Sequence, residues 1–154
     1  MKNLKQISDD VWIAGQPSED ELRSAGERFR TVVNLRTPDE NGVLADEERL
    51  VEDAGMSYAP IPVSPELLDD ATIERFHAAI ASEGRTPALV HCQGGGRAGV
   101  LTLLHLAIKN GWGIDQALHH GEEKGILIAP DSPYLPIFED FLRRHSPAER
   151  APDV

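Results

Sequence analysis

The sequence contains a single cysteine, Cys92, among 154 residues. One thiol excludes an internal disulfide and any multi-cysteine zinc cluster. Positive charge is also scarce: 15 lysines and arginines face 26 aspartates and glutamates, for a net charge of −11. A mean field of that sign repels phosphate backbones and anionic headgroups. Neither nucleic acid nor a membrane surface is therefore an expected partner, and an anionic substrate needs a local positive site. No apolar stretch approaches the ~18 residues of a membrane span, and the opening MKNLKQISDD has no signal-peptide-like apolar region. Internal repeats and low-complexity blocks are absent too. What is present is the composition of a globule, 40% hydrophobic and 27% charged. The length suits one domain, at roughly 100–200 residues per domain. The expectation is a single cytoplasmic domain over residues 1–145 and a disordered tail over 146–154, SPAERAPDV.

Strand-like and helix-like pieces alternate along the chain. Val11 to Ala14 reads as a short strand, pairing with Leu4 to Ile7 across Ser8-Asp9-Asp10. Ser18 and Glu21 have capping-box spacing and open a helix running to about Arg28. Thr31 to Leu35 and Ala88 to His91 are apolar runs short enough for buried strands. Leu44 to Ala54 reads as a helix stopped by Gly55. Met56 to Val63 looks extended, with Pro60 and Pro62 favouring a sheet edge. Ile73, Phe76, His77 and Ile80 mark a helix from Asp70 to about Ser82. Ala98 to Asn110 is apolar nearly all round, hence a buried helix. Ile114 to Lys124 and Ser132 to Arg144 are further helices, the last with Ser132 as N-cap and Pro133 at its first position. The expected fold is a single-domain α/β structure: a mainly parallel sheet of four or five strands with helices on both faces. Sites in such sheets lie at the carboxyl ends of the strands. Two loops meet that description, after Leu35 and after His91.

The second of these is the most informative segment, running Leu89-Val90-His91-Cys92-Gln93-Gly94-Gly95-Gly96-Arg97-Ala98-Gly99. A buried strand enters a glycine-rich loop that opens a helix, with the cysteine as first loop residue. Glycines allow successive backbone N–H groups to converge on an anion, and the helix adds its free N–H groups and positive dipole end. Arg97 can grip two oxygens of a tetrahedral oxyanion. The same field favours a thiolate at Cys92, the nucleophilic form of the side chain. A nucleophile under an oxyanion cradle implies attack on the atom the cradle holds. The competing reading makes Cys92 a small buried hydrophobe and the glycines a plain turn.

This loop resembles the signature of cysteine-based protein phosphatases of the tyrosine and dual-specificity type, in which His-Cys is followed after five residues by Arg and then Ser or Thr. Here four residues separate Cys92 from Arg97, and Ala98 stands in place of the hydroxyl residue. The shorter spacing is similar to that of the phosphatase-like domain of beta-lactamase hydrolase-like proteins. The likeness extends to Ala14-Gly15-Gln16-Pro17-Ser18, to Thr31 through Arg36 with Glu40 downstream, and to Gly55 through Tyr58 leading into Ile61-Pro62-Val63. It implies a protein-tyrosine-phosphatase-like fold and a phosphomonoester hydrolase without cofactor or metal, acting on a phosphorylated protein or a small aryl phosphate. Cys92 would attack phosphorus and form a phosphocysteine. Arg97 and the N–H groups of Gln93, Gly94, Gly95, Gly96 and Arg97 would bind the oxygens, and His91 would orient the loop and help keep the thiolate. Glu40 matches the family carboxylate that holds the arginine, although it is equally readable as a solvated turn charge. Arg36 could bind substrate or pair with Glu40 or Asp39. Relatives take their general acid, an aspartate, from the loop here formed by Ser64 to Asp70. Asp69 and Asp70 are candidates, with Glu66 next, but either aspartate also reads as an N-cap. Ala98 implies slow hydrolysis of the phosphocysteine. Gln16 would contact the cysteine loop.

Two alternatives come from other classes. The four-residue loop length is shared with rhodanese-type sulfurtransferases, where the cysteine carries a persulfide. Ala98 and the uncertain acid also fit a phosphate-binding module of little activity. His105 reads as a core histidine with a backbone partner, His119-His120 as unsuited to zinc, Trp12 and Trp112 as packing residues, and Asp131 as part of the turn before the last helix.

Overall fold

A computed structural model describes residues 1–150. Its five strands are β1 (Lys5–Gln6), β2 (Val11–Ala14), β3 (Thr31–Asn34), β4 (Ser57–Pro60) and β5 (Ala88–His91). They form one sheet in the order β1-β2-β5-β3-β4, parallel except where β1 pairs antiparallel with β2. The helices are α1 (Glu19–Ala25), α2 (Glu47–Asp53), α3 (Asp70–Ala81), α4 (Gly96–Asn110), α5 (Ile114–Glu123) and α6 (Tyr134–His145). No helix among the described residues is long and apolar enough to cross a membrane.

Alternation along the strands divides the core into two. Ile13, Val33 and Val90 face the larger core with residues of α3 to α6. Val32 and Leu89 face the smaller one, with Leu22 of α1 and Leu50 and Val51 of α2. Period-two geometry then turns His91 to the α1–α2 side and Cys92 back to the other. The register sets Ala14, His91 and Asn34 level at the carboxyl ends of the three central strands, so the β2, β3 and β5 loops converge there. Gly15 makes that convergence possible: a Cβ on it would lie 2.8 Å from the Gln93 carbonyl oxygen.

Several boundaries differ from the sequence expectation. α1 has both arms of the Ser18–Glu21 capping box but ends at Ala25. α2 begins at Glu47 rather than Leu44, because Gly42 adopts a left-handed φ of 82° and residues 45–46 form a further turn before the helix. β4 ends at Pro60 on the sheet edge. α6 starts at Tyr134 with Pro133, rather than Ser132, as its N-cap; Pro133 already has helical angles, and the Ser132 hydroxyl accepts from the Tyr134 N–H. The tail departs most. Ser146 is buried and donates to the Trp112 carbonyl at 2.7 Å, and Glu149 accepts from the Ile114 N–H at 3.0 Å. Glu149 thus satisfies the first turn of α5, whose N-cap, Gly113, has no side chain of its own. Residues 146–150 of the expected tail make these contacts, and residues 151–154 lie outside the described residues.

Candidate active site

Cys92 lies at the end of β5, 1% exposed, beneath the turn that leads into α4. The turn closes with Gly95 at φ 103°, and the Gly95 N–H donates to Cys92 Sγ at 3.0 Å. A negative sulfur strengthens such a contact. Among the described residues, the N–H groups of Gln93, Gly94, Gly96 and Arg97 donate to no protein acceptor. Four free donors therefore occupy the loop that surrounds the sulfur.

Arg97, in the first turn of α4, is held from behind. Its Nη1 and Nη2 donate to Glu40 Oε2 and Oε1, each at 2.8 Å, and Nη1 also donates to the Val63 carbonyl at 3.0 Å. A guanidinium has five donors in a planar fork. These contacts leave Nε–H and one Nη2–H, the pair that can grip two oxygens side-on. The Arg97 hydrogen bond is the main reason that the Glu40 carboxyl is held down to about 2, with the Thr37 N–H and hydroxyl contributing further. Burial acts in the opposite direction.

On the far side of the sheet, His91 is fully buried. Its Nε2 lies 2.7 Å from Glu47 Oε2, and its Nδ1 lies 3.3 Å from the Cys92 carbonyl. Burial works to raise the Glu47 carboxyl, but hydrogen bonds from His91, Gln16 and Tyr58 prevail and hold it below the ordinary range. A cleft of about 490 Å³ opens beside the loop, lined by Gly94 to Arg97, Asn3 and Lys5, Ile126 to Ala129, Ser132 and Tyr134.

Residues 3–117 match the family described as beta-lactamase hydrolase-like protein, phosphatase-like domain. The chain belongs to this phosphatase-like domain family. A beta-lactamase hydrolase-like protein of Xylella fastidiosa is 36% identical over 107 residues, covering 66% of this chain and 24% of the relative. This chain therefore spans about a quarter of the length of that relative. Among solved structures, Tk-PTP in its active form has a TM-score of 0.66 at 26% identity, covering 89% of this chain and 96% of that one. A structure from Shewanella putrefaciens CN-32 reaches 0.74 at 23% identity, covering 95% and 94%. The architecture is thus that of protein-tyrosine-phosphatase-like phosphatases.

Within this phosphatase-like domain, the structure brings together Cys92, the glycine loop, Arg97, Glu40 and His91. It separates others that the sequence suggested. Asp69 is the N-cap of α3 and accepts from the Thr72 N–H at 2.8 Å. Asp70 faces away, paired through both oxygens with Arg144 of α6 and also with His145. Those contacts, Arg144 first, hold the Asp70 carboxyl far below its ordinary value, as an ion with no proton to donate. Asp69, bound at the start of α3, and Asp70, paired with Arg144, are thus engaged in structural contacts and do not serve as the expected general acid. Glu66 is exposed and does not line the cleft.

Arg36 is likewise no substrate ligand. It is buried, and it donates to Glu40 Oε1 at 3.3 Å, to Gln16 Oε1 at 2.9 Å and to the Asn41 carbonyl. Glu40 belongs behind Arg97 rather than on the substrate. Gln16 meets the cysteine loop through its backbone, its N–H donating to the Gln93 carbonyl at 3.1 Å. The partner of His105 is His77, at 2.9 Å between Nδ1 atoms, and not a backbone group. His119 pairs with Glu123 one turn further along α5.

Glu47 and Tyr134 are the residues that sequence reasoning missed. A buried glutamate at the start of a helix looks like any favourable first-turn acid, and its partner lies 44 positions away. Tyr134 lines the cleft beside Arg97, and burial raises its hydroxyl.

Proposed function

We propose that this domain hydrolyses phosphomonoesters through a phosphocysteine on Cys92. The observation that carries this reading is the ring of unpaired loop N–H groups, together with the free edge of Arg97, around a sulfur that already accepts from Gly95. A tetrahedral dianion matches that donor set in charge and in number.

In the first step Sγ attacks phosphorus, the S–P bond forms, and the ester P–O bond breaks in line with it. The leaving oxygen departs with the bonding pair and takes up a proton. In the second step water attacks phosphorus, the S–P bond breaks, and the thiolate is regenerated as inorganic phosphate leaves. Arg97 and the loop N–H groups hold the equatorial oxygens throughout. His91 orients the start of the loop from below.

Among the described residues that line the cleft none is a carboxylate, so departure of the leaving group depends on its own acidity. Aryl esters such as phosphotyrosine are the preferred substrates, and the apolar residues Ile126 and Ile128 in the cleft lining suit an aromatic ring. Ala98 is fully buried and offers no hydroxyl to the departing sulfur, which makes phosphocysteine hydrolysis the slow step.

The test is release of p-nitrophenol from p-nitrophenyl phosphate, with chelator present, by the wild-type chain and by Cys92→Ser. Release that survives chelator and vanishes in the variant is the expected result. Absence of release from the wild-type chain would overturn the reading. Thiosulfate-to-cyanide transfer would then test the sulfurtransferase alternative.

A further inference from the structure

We propose that Glu47 and Gln16 are positioning residues that join the nucleophile side of the site to the Arg97 side through one continuous chain of hydrogen bonds. The proposal rests on the cysteine-nucleophile reading above but is tested without turnover.

The chain can be followed atom by atom. Beneath Cys92, His91 Nε2 meets Glu47 Oε2 at 2.7 Å. The other oxygen, Glu47 Oε1, accepts from Gln16 Nε2 at 2.8 Å. Gln16 Oε1 accepts from Arg36 Nη1 at 2.9 Å. Arg36 Nε reaches Glu40 Oε1 at 3.3 Å, and Glu40 grips Arg97 at 2.8 Å through both oxygens. Cys92 and Arg97 end the same loop, so the chain closes into a ring through the backbone of the cradle itself.

Glu47 Oε1 accepts from the Gln16 amide, and with His91 Nε2 protonated Oε2 accepts as well, an arrangement that an ionised carboxylate satisfies on both oxygens. Gln16 must donate on one side and accept on the other, and a glutamate there would set one carboxylate against another. Along the ring, the charges of Glu47, Arg36, Glu40 and Arg97 alternate in sign. Glu47 and Arg36 are also almost wholly buried, at 2% and 4% exposure, where an unpartnered charge is strongly unfavourable. The ring therefore opens as a unit rather than link by link. Other titratable groups face it: Tyr58 on β4, next to Glu47 and bonded by Asn34, with Glu48 nearby, and Tyr134 of α6, which acts on Arg97 and Glu40.

The experiment is alkylation of Cys92 by iodoacetamide as a function of pH, with and without inorganic phosphate as protectant, on the folded chain. The variants are Gln16→Glu, which keeps the shape and reverses one polarity, Gln16→Met and Glu47→Gln. In each variant the pH profile of alkylation is expected to differ from that of the wild type. The phosphate concentration giving half-protection is expected to rise about tenfold, the scale of one hydrogen bond to a charged group. Combining Gln16→Met with Glu47→Gln is expected to add little, since the ring is already open. Folded Gln16 variants that match the wild type in either readout would overturn the proposal, even if Glu47→Gln fails to fold. Should the wild-type chain show no protection by phosphate and no phosphatase activity, the proposed function fails, and the pH midpoints still decide whether the Glu47 link reaches Cys92.

Discussion

An alanine at position 95 would have to hold a φ of 103°. The nearest atoms to its Cβ would be an ordinary 3.8 Å away, so the penalty is in the backbone and not in packing. Left-handed geometry is unfavourable by roughly 1–2 kcal/mol for a residue with a Cβ. Relaxing it would swing away the N–H that meets Cys92 Sγ. Gly95→Ala is therefore expected to melt only a few degrees lower while cleavage of p-nitrophenyl phosphate falls about tenfold or more; equal cleavage by the variant would show that this N–H is not needed. At Glu40 the argument is electrostatic. Its folded carboxyl sits at about 2 against an ordinary 4.5. As pH falls, the unfolded chain takes up this proton first. The stabilisation is thus complete above about 4.5 and is lost as pH falls through about 2. Between about pH 5 and 8 its charge is constant. Glu40→Gln should weaken inhibition by inorganic phosphate about tenfold, as expected for a lost charged hydrogen bond, by the same factor across that range. A factor that varies with pH within it would mean another group sets the orientation of Arg97.

α3 shows at the scale of an element what a sequence can disclose. The bond from Asp69 to the Thr72 N–H spans three positions, and local spacing of that kind is legible in the order of residues alone. The partner of Asp70 lies 74 positions away on α6, and no periodicity announces it. The site divides the same way. Cys92, the glycines and Arg97 are contiguous and legible as a cradle. Glu40 is recognisable as a partner of Arg97 only through family resemblance, because 57 positions separate them. Nothing local marks the carboxyl of Glu47, and Arg36 stays open between substrate and scaffold, because only the sheet brings α2 under β5. The strands are legible from their short β-branched runs, whereas the start of α2 depends on the turns after Gly42. The Asp70–Arg144 pair joins the first turn of α3 to the last turn of α6 at the surface, where ion pairs contribute little. Asp70→Asn is expected to leave kcat for p-nitrophenyl phosphate within about twofold of wild type and to lower the melting temperature slightly. A large fall in kcat, confined to substrates with poor leaving groups, would return Asp70 to the role of acid.

For the whole molecule, acid pH sets two effects against each other. The chain carries −11 at neutral pH, and its isoelectric point is about 4.9. Acidification from pH 7 towards 5 therefore relieves self-repulsion and favours the compact state. The histidine pair between α3 and α4 acts in the opposite sense. His77 and His105 meet Nδ1 to Nδ1 at 2.9 Å, so one nitrogen donates and the other must keep its lone pair. A second proton would set two N–H groups against each other. Burial above all, then His77 and Lys109, pushes His105 down to about 4, with Asp10 opposing weakly. The unfolded chain protonates this histidine near its ordinary 6.5, so it binds more protons than the folded one as pH drops below that value. Stability from this residue is full above 6.5 and is lost by about pH 4. The two effects separate in His105→Gln, which keeps a polar partner for His77 but does not titrate. Between pH 7 and 5 the variant's melting temperature should stay level or rise as repulsion is relieved, while the wild-type value falls relative to it. Parallel profiles would mean that His105 takes up its proton in the folded chain at the same pH as in the unfolded one, and that the α3–α4 contact is held by something other than a neutral pair.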